Sequence, residues 1–248
     1  MKNRVYRSKE ISDYYSRNRN SFNNFYPSEK RVFMRVYEEN GSFGDILDVG
    51  CACGGLASAL KDKFGFDSYT GIDINAPAIQ TAKRNFRRGA PLRFVAGDIL
   101  KQNNIAGKYD TVFSLSCADW NLQTKKIISS CWKALKPGGH FIISLRLARG
   151  KSVNDIKKSY QYINFSGKDK KPEIANYVVF SLNDALKLFE KQKPAPESIS
   201  AYGYWGKPSK TARTLYKKLV FGVFYVKKPT TIMHSGTIMK LKLPEDIL

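Results

Sequence analysis

The chain has 248 residues, 42% of them hydrophobic, enough for one large α/β domain with additions or for two small domains. That apolar fraction excludes a disordered chain, and no apolar run approaches the ~18 residues a membrane helix needs. The net charge of +21, from 42 Lys+Arg against 21 Asp+Glu, attracts polyanions such as RNA, an anionic membrane face or phosphorylated small molecules.

The positive excess is spread along the chain, densest after residue 150, and forms no block of five or more like charges. It therefore also fits a plain basic surface. The N-terminus, MKNRVYRSKEISDYY, lacks the apolar stretch of a secretion signal, so a cytoplasmic protein is expected. Cys51, Cys53, Cys117 and Cys131 form no zinc-type pair, and there are only two histidines. Free thiols and no metal site follow as expectations.

In chain order, residues 1–26 are polar and aromatic. Pro27–Glu39 reads as a helix, with Pro27 at its start and Val32, Phe33, Val36 and Tyr37 at helical spacing. Strand and helix then alternate. Strands are expected at Ile46–Val49, Tyr69–Ile74, Leu92–Ala96, Thr111–Leu115 and His140–Leu147. Helices are expected at Leu56–Lys63, Ala76–Arg87 and Thr124–Leu135, the last stopped by Lys136-Pro-Gly-Gly139. The alternation predicts a doubly wound, Rossmann-like, mostly parallel sheet with helices on both faces.

After Arg149-Gly150 the pattern changes. Tyr160–Phe165 reads as an extra strand, Gly167–Pro172 as a charged loop, and Tyr177–Phe180 as extended chain. Leu182–Lys191 reads as a helix behind Ser181 and Asn183 as caps. Ile199–Tyr204 and Leu219–Val226 fit an antiparallel strand pair closing the sheet. The tail from Lys227 carries little pattern. The expected organisation is an N-terminal arm and helix over 1–44, then a domain over 45–248 with a substrate-facing insertion at about 150–200.

Chemistry concentrates after the strands. The run Asp45-Ile-Leu-Asp48-Val-Gly50-Cys-Ala52-Cys-Gly54-Gly55 turns sharply from strand into helix, bringing backbone and a helix N-terminus to a ligand. Asp73, within Gly71-Ile-Asp-Ile74-Asn75, ends the second strand, where a carboxylate accepts both hydroxyls of a ribose or else caps the next helix. These two features also serve NAD enzymes. Val95-Ala-Gly-Asp98-Ile99-Leu100, Lys108-Tyr-Asp-Thr-Val-Phe-Ser-Leu115 and Leu135-Lys-Pro-Gly-Gly-His-Phe-Ile-Ile143 follow in order.

Together these five segments resemble the motifs of class I S-adenosylmethionine-dependent methyltransferases. The resemblance implies S-adenosyl-L-methionine as cofactor. It places Asp98 on the adenine amino group, Ile99 against the ring, and Asp48, Gly50, Ala52, Gly54, Asp73, Ile74 and Ser114 around the rest of the molecule. Ala52 stands where most of the family has Gly. Tyr14 or Arg19 of the arm would hold the cofactor carboxylate, Arg by its forked donors; an ordinary solvated arm is the alternative.

The fourth strand leads into Ser114-Leu-Ser-Cys-Ala-Asp119-Trp120-Asn121. It lacks the Asn/Asp-Pro-Pro-aromatic motif of nitrogen methylation of bases and the Pro-Cys of cytosine-C5 methylation. Asp119 is the candidate general base, with Trp120 as a wall of the site; the alternative is a helix cap. Tyr202, Tyr204 and Trp205 are candidate substrate contacts; the alternative is that Tyr202 and Tyr204, at period-two spacing, are core residues of a strand. The expected function is O-methylation of a small molecule, a sugar or other hydroxyl compound, with phosphorylated acceptors included. An RNA methyltransferase (tRNA or rRNA) is the alternative, and a non-catalytic cofactor- or nucleic-acid-binding protein on the same fold is the third reading.

Overall fold

The computed structural model describes residues 9–86, 91–163, 173–209, 215–231 and 236–244. The expected charged loop at 167–172, Phe165 and His234 lie outside the described residues. Among the described residues, ten strands and six α-helices alternate much as the apolar pattern predicts. The first helix, α1 (Lys9–Arg17), was not expected from the polar arm. It is followed by α2 (Pro27–Asn40), β1 (Asp45–Val49), α3 (Gly55–Lys63), β2 (Ser68–Asp73), α4 (Ala76–Asn85) and β3 (Leu92–Ala96). Then come β4 (Tyr109–Ser114), α5 (Thr124–Ala134), β5 (Leu135–Leu147), β6 (Tyr160–Tyr162) and β7 (Ile174–Asn176). The chain closes with α6 (Leu182–Glu190), β8 (Ser198–Gly206), β9 (Leu219–Lys227) and β10 (Ile238–Lys242).

Eight strands form one sheet in the order β10-β8-β9-β5-β4-β1-β2-β3. β9 runs antiparallel to both β5 and β8, as expected of a closing pair. β10 adds a further edge, parallel to β8, that the tail's composition did not announce. Strand order reverses between β1 and β4, the place where ligands bind in doubly wound sheets.

Strand alternation splits the core in two. Ile46, Phe113 and Ile142 face α2, α3 and α4, while Leu47, Val112, Phe141 and Ile143 face α5 and α6. Val32, Phe33 and Val36 of α2 are fully buried, so α2 is a layer of the fold and only the chain before it is an arm. Likewise Leu182, Ala185 and Phe189 place α6 in the main core. What stands apart from the layers in the 150–200 stretch is the β6–β7 hairpin. Lys136, ahead of the bend in β5, ties the layer's lower edge together through ion pairs to Asp45 (2.9 Å) and Asp110 (2.8 Å).

Candidate active site

One cavity of about 550 Å³ opens at the carboxyl ends of β1, β2, β4 and β5. Its first wall is the turn after β1. The Gly50 N–H donates to Ile72 O at 2.8 Å, pinning the turn to β2. Gly50 has φ +86°, and a Cβ there would sit 2.4 Å from Cys117 Sγ, so both conformation and space require glycine. Ala52 adopts φ +45°, which explains why glycine is commoner at that position.

Asp73 lies where β2 ends. The Ala52 N–H donates to its Oδ2 (2.9 Å) and the Asn75 N–H to its Oδ1 (2.8 Å). The helix cap is Asn75, whose side chain accepts from Ala78 N, so Asp73 is not the cap of α4. A carboxylate has about four acceptor positions, and these backbone donors leave capacity for ligand hydroxyls. Burial raises the Asp73 carboxyl, and the backbone donors oppose it. Asp48 is buried behind it, accepting from the Tyr69 hydroxyl. Burial first, and then the nearby Asp73 charge, push Asp48 up to about 7, against the pull of the Tyr69 hydrogen bond. Ile74 lines the cavity beside Asp73, and Asp98 with Ile99 forms the wall after β3. Asp98 Oδ1 accepts from Leu100 N at 3.0 Å, which fixes the turn that carries Ile99.

The arm covers this half. Tyr14, Tyr15 and Arg19 all line the cavity. Tyr14 is 54% exposed, and the more enclosed ring is Tyr15, whose hydroxyl burial raises to about 12. Arg19 is not a solvated side chain. Its Nη2 reaches Glu29 Oε1 at 2.7 Å, and its guanidinium lies 4.5 Å from the Phe25 ring centroid. Glu29 is itself buried and accepts from Tyr26 N through Oε2. The sequence offered no reason to single out Glu29, because an acid in the first turn of a helix is ordinary.

The other half is built after β4 and β5. Asp119 is 3% exposed and lines the cavity within a short 3-10 turn, Ala118–Trp120. It does not cap α5: Asn121 and Thr124 supply the turn's local hydrogen bonds. Arg146 of β5 holds it instead, with Nε 3.4 Å from Oδ2 and the Arg146 N–H donating to Oδ2 at 3.2 Å. Burial raises the Asp119 carboxyl, and the Arg146 charge pulls it back. Trp120, Tyr177 and Tyr204 complete the wall, with Tyr204 stacked on Phe221 at 5.8 Å.

Four expected contacts fall elsewhere. Ser114 is fully buried in β4, and Leu115, Ser116 and Cys117 take its place on the wall. Gly54 packs against Phe86 and Phe94 at the start of α3. Tyr202 shares a face with Tyr204 but lies further from the strand's end, under Arg31 and Arg35 of α2. Trp205 points to the opposite face, onto the α5–α6 core, as strand alternation dictates. Arg146 and Tyr177 were missed. A lone arginine in an apolar strand signals a buried ion pair, and the acid that pairs with it lies 27 residues earlier.

Residues 46–139 match the family model described as a methyltransferase domain. Over those residues the chain matches a methyltransferase domain, and its fold is that of class I methyltransferases. Phosphoethanolamine N-methyltransferase 2 of Caenorhabditis elegans is 32% identical over 121 residues, 44% of this chain and 28% of that protein. Ubiquinone biosynthesis O-methyltransferase of Erwinia tasmaniensis is 30% identical over 46% of this chain and 47% of its own length. The chain thus spans less than half the length of these curated relatives. Among solved structures, Haemonchus contortus phosphoethanolamine N-methyltransferase 2, in complex with phosphomonomethylethanolamine and S-adenosylhomocysteine, superposes with a TM-score of 0.59 at 17% identity. That match covers 80% of this chain and 52% of the other. The [4+2]-cyclase SpnF superposes with a TM-score of 0.55 at 15% identity, over 81% of both chains. The methyltransferase domain's fold therefore also occurs in a cyclase, and the chemistry must be argued from the site. No helix among the described residues is long and apolar enough to cross a membrane.

Proposed function

We propose that the protein is an S-adenosylmethionine-dependent methyltransferase whose acceptor is a small hydroxyl compound. The observation that supports this is one continuous cavity joining the Gly50 turn, Asp73 and Asp98 to the buried Asp119 wall. Its volume, about 550 Å³, lies in the usual range for small-ligand sites. Asp73, with acceptor capacity left over, would take ribose hydroxyls, Asp98 the adenine edge with Ile99 against the ring, and Arg19 or Tyr15 the amino-acid end. The cofactor, when bound, supplies a methyl group on a positively charged sulfur, transferred by in-line displacement.

The chain's own work is positioning, exclusion of water and handling of one proton. The arm and the Gly turn enclose the donor half, and Trp120, Tyr177 and Tyr204 shape the acceptor half. Asp119, a raised carboxyl beside that space, is the general base that takes the acceptor hydroxyl proton. Lys207 at the rim would meet an anionic group on the acceptor, such as a phosphate. The test is transfer of labelled methyl to cellular RNA and to metabolite extracts offered separately. Label in the metabolite fraction supports a small acceptor, and label in RNA alone overturns it.

A further inference from the structure

Arg146 is more than a partner for Asp119. Its guanidinium lies 3.8 Å from the Tyr177 ring centroid and 5.0 Å from that of Trp120, and the residue is 5% exposed. Its Nη1 donates to Asp119 O at 3.0 Å, while its N–H and Nε both address Asp119 Oδ2. Every one of these contacts leaves Asp119 Oδ1 aside. That oxygen is buried and has no hydrogen-bond partner among the described residues, although Asp119 lines the cavity. A buried acceptor left unmade is costly, so this oxygen is set to receive a donor from a ligand.

Two kinds of donor compete for it, a hydroxyl and an ammonium. An ammonium must shed its hydration on entering a buried site, at a far greater cost than a neutral hydroxyl. Normally a carboxylate's full charge and open aromatic faces repay that penalty. Here Arg146 already neutralises Asp119 and already occupies faces of Tyr177 and Trp120. A neutral hydroxyl meets neither obstacle. A carboxylate acceptor has no proton to offer to Asp119 Oδ1.

We propose that the Asp119–Arg146 pair makes the acceptor subsite selective for a neutral hydroxyl donor and excludes an ammonium compound of the same shape. Arg146 is thus a positioning and specificity-determining residue, acting through Asp119 and the two rings. The inference rests on the methyltransferase reading of the same cavity.

The test uses the full chain saturated with S-adenosylhomocysteine and ligand-observed NMR with matched probes at neutral pH. Benzyl alcohol is compared with benzylamine, and cyclohexylmethanol with cyclohexylmethylamine. In the wild type each alcohol is expected to bind at least about tenfold more tightly than its charged partner, the scale of one good interaction. Arg146→Met is expected to collapse or reverse that ratio, and Arg146→Lys, which keeps the charge, to retain it. If Arg146→Met does not fold, the wild-type ratio and Arg146→Lys still decide. Equal or tighter binding of the amines in the wild type overturns the proposal. So does an unchanged ratio in folded Arg146→Met, or absence of alcohol binding to cofactor-saturated protein. Failure of the wild type to bind S-adenosylhomocysteine would overturn the underlying cofactor reading instead.

Discussion

The backbone carbonyl of Arg19 rests directly on Gly55: a Cβ at that glycine would lie 2.0 Å from Arg19 O. The N-terminal arm is therefore seated on the first residue of α3, beside the proposed donor half of the cavity. Gly55→Ala must displace backbone, not a flexible side chain. It is expected to weaken S-adenosylhomocysteine binding by about tenfold or more, on the scale of 1–3 kcal/mol for overpacking. Limited proteolysis checks the cause, with new cleavage expected between Arg17 and Tyr26.

Glu29 holds the same arm from the other side, through Arg19 and the Tyr26 N–H. Glu29→Ala strands a mostly buried guanidinium. Loss of one partner of a buried pair costs about 3–5 kcal/mol. A loss of unfolding free energy of that scale is expected in chemical denaturation, and Glu29→Gln, whose single carbonyl oxygen can accept from one of the two donors, should recover part of it.

In the proposed site, Asp73 serves binding and Asp119 serves chemistry. Asp73→Ala removes charge-assisted hydrogen bonds to the proposed ribose and is expected to lower cofactor affinity about 10- to 100-fold, measured by calorimetry. Asp119→Asn is expected to leave cofactor affinity within about threefold while kcat falls about 10²- to 10⁴-fold, the range for a general base. Activity should be lost as pH falls through the Asp119 carboxyl's own titration, which burial places above the ordinary aspartate range.

His140 provides a stability test away from the cavity. Its Nδ1 lies 2.9 Å from the Tyr225 hydroxyl and its Nε2 3.1 Å from Asn40 Oδ1. Burial first, then the Lys227 charge, lower it from the usual 6.5 to about 4. Below about pH 6.5 the unfolded chain takes up a proton that the folded chain refuses. Stability is therefore present above that pH and lost as pH falls toward about 4, by about 3 kcal/mol. Chemical denaturation across this window should show His140→Gln free of that loss.

The strands and the Gly turn were legible in the sequence because apolar runs and small residues act locally. The places of Asp73 and Asp98 on the cavity wall were legible because each directly ends or follows a strand. Ser114 and Trp205 lie away from the cavity because which face a strand residue presents depends on register, and neighbouring sheet residues set that, whereas Tyr202 shares Tyr204's face but lies too far from the strand's end. Arg146 and Glu29 were missed because their meaning lies in partners distant along the chain. The edge strand β10 was missed because Ile238, Met239 and Leu241 alternate with lysines only weakly and pair with a strand 40 residues earlier.

The most direct measurement is calorimetric titration of the wild type and Asp73→Ala with S-adenosylhomocysteine. The proposed cofactor site requires saturable one-to-one binding to the wild type and a drop of at least about tenfold in the variant. Absence of binding to folded wild type, or equal affinity in the two proteins, would contradict it.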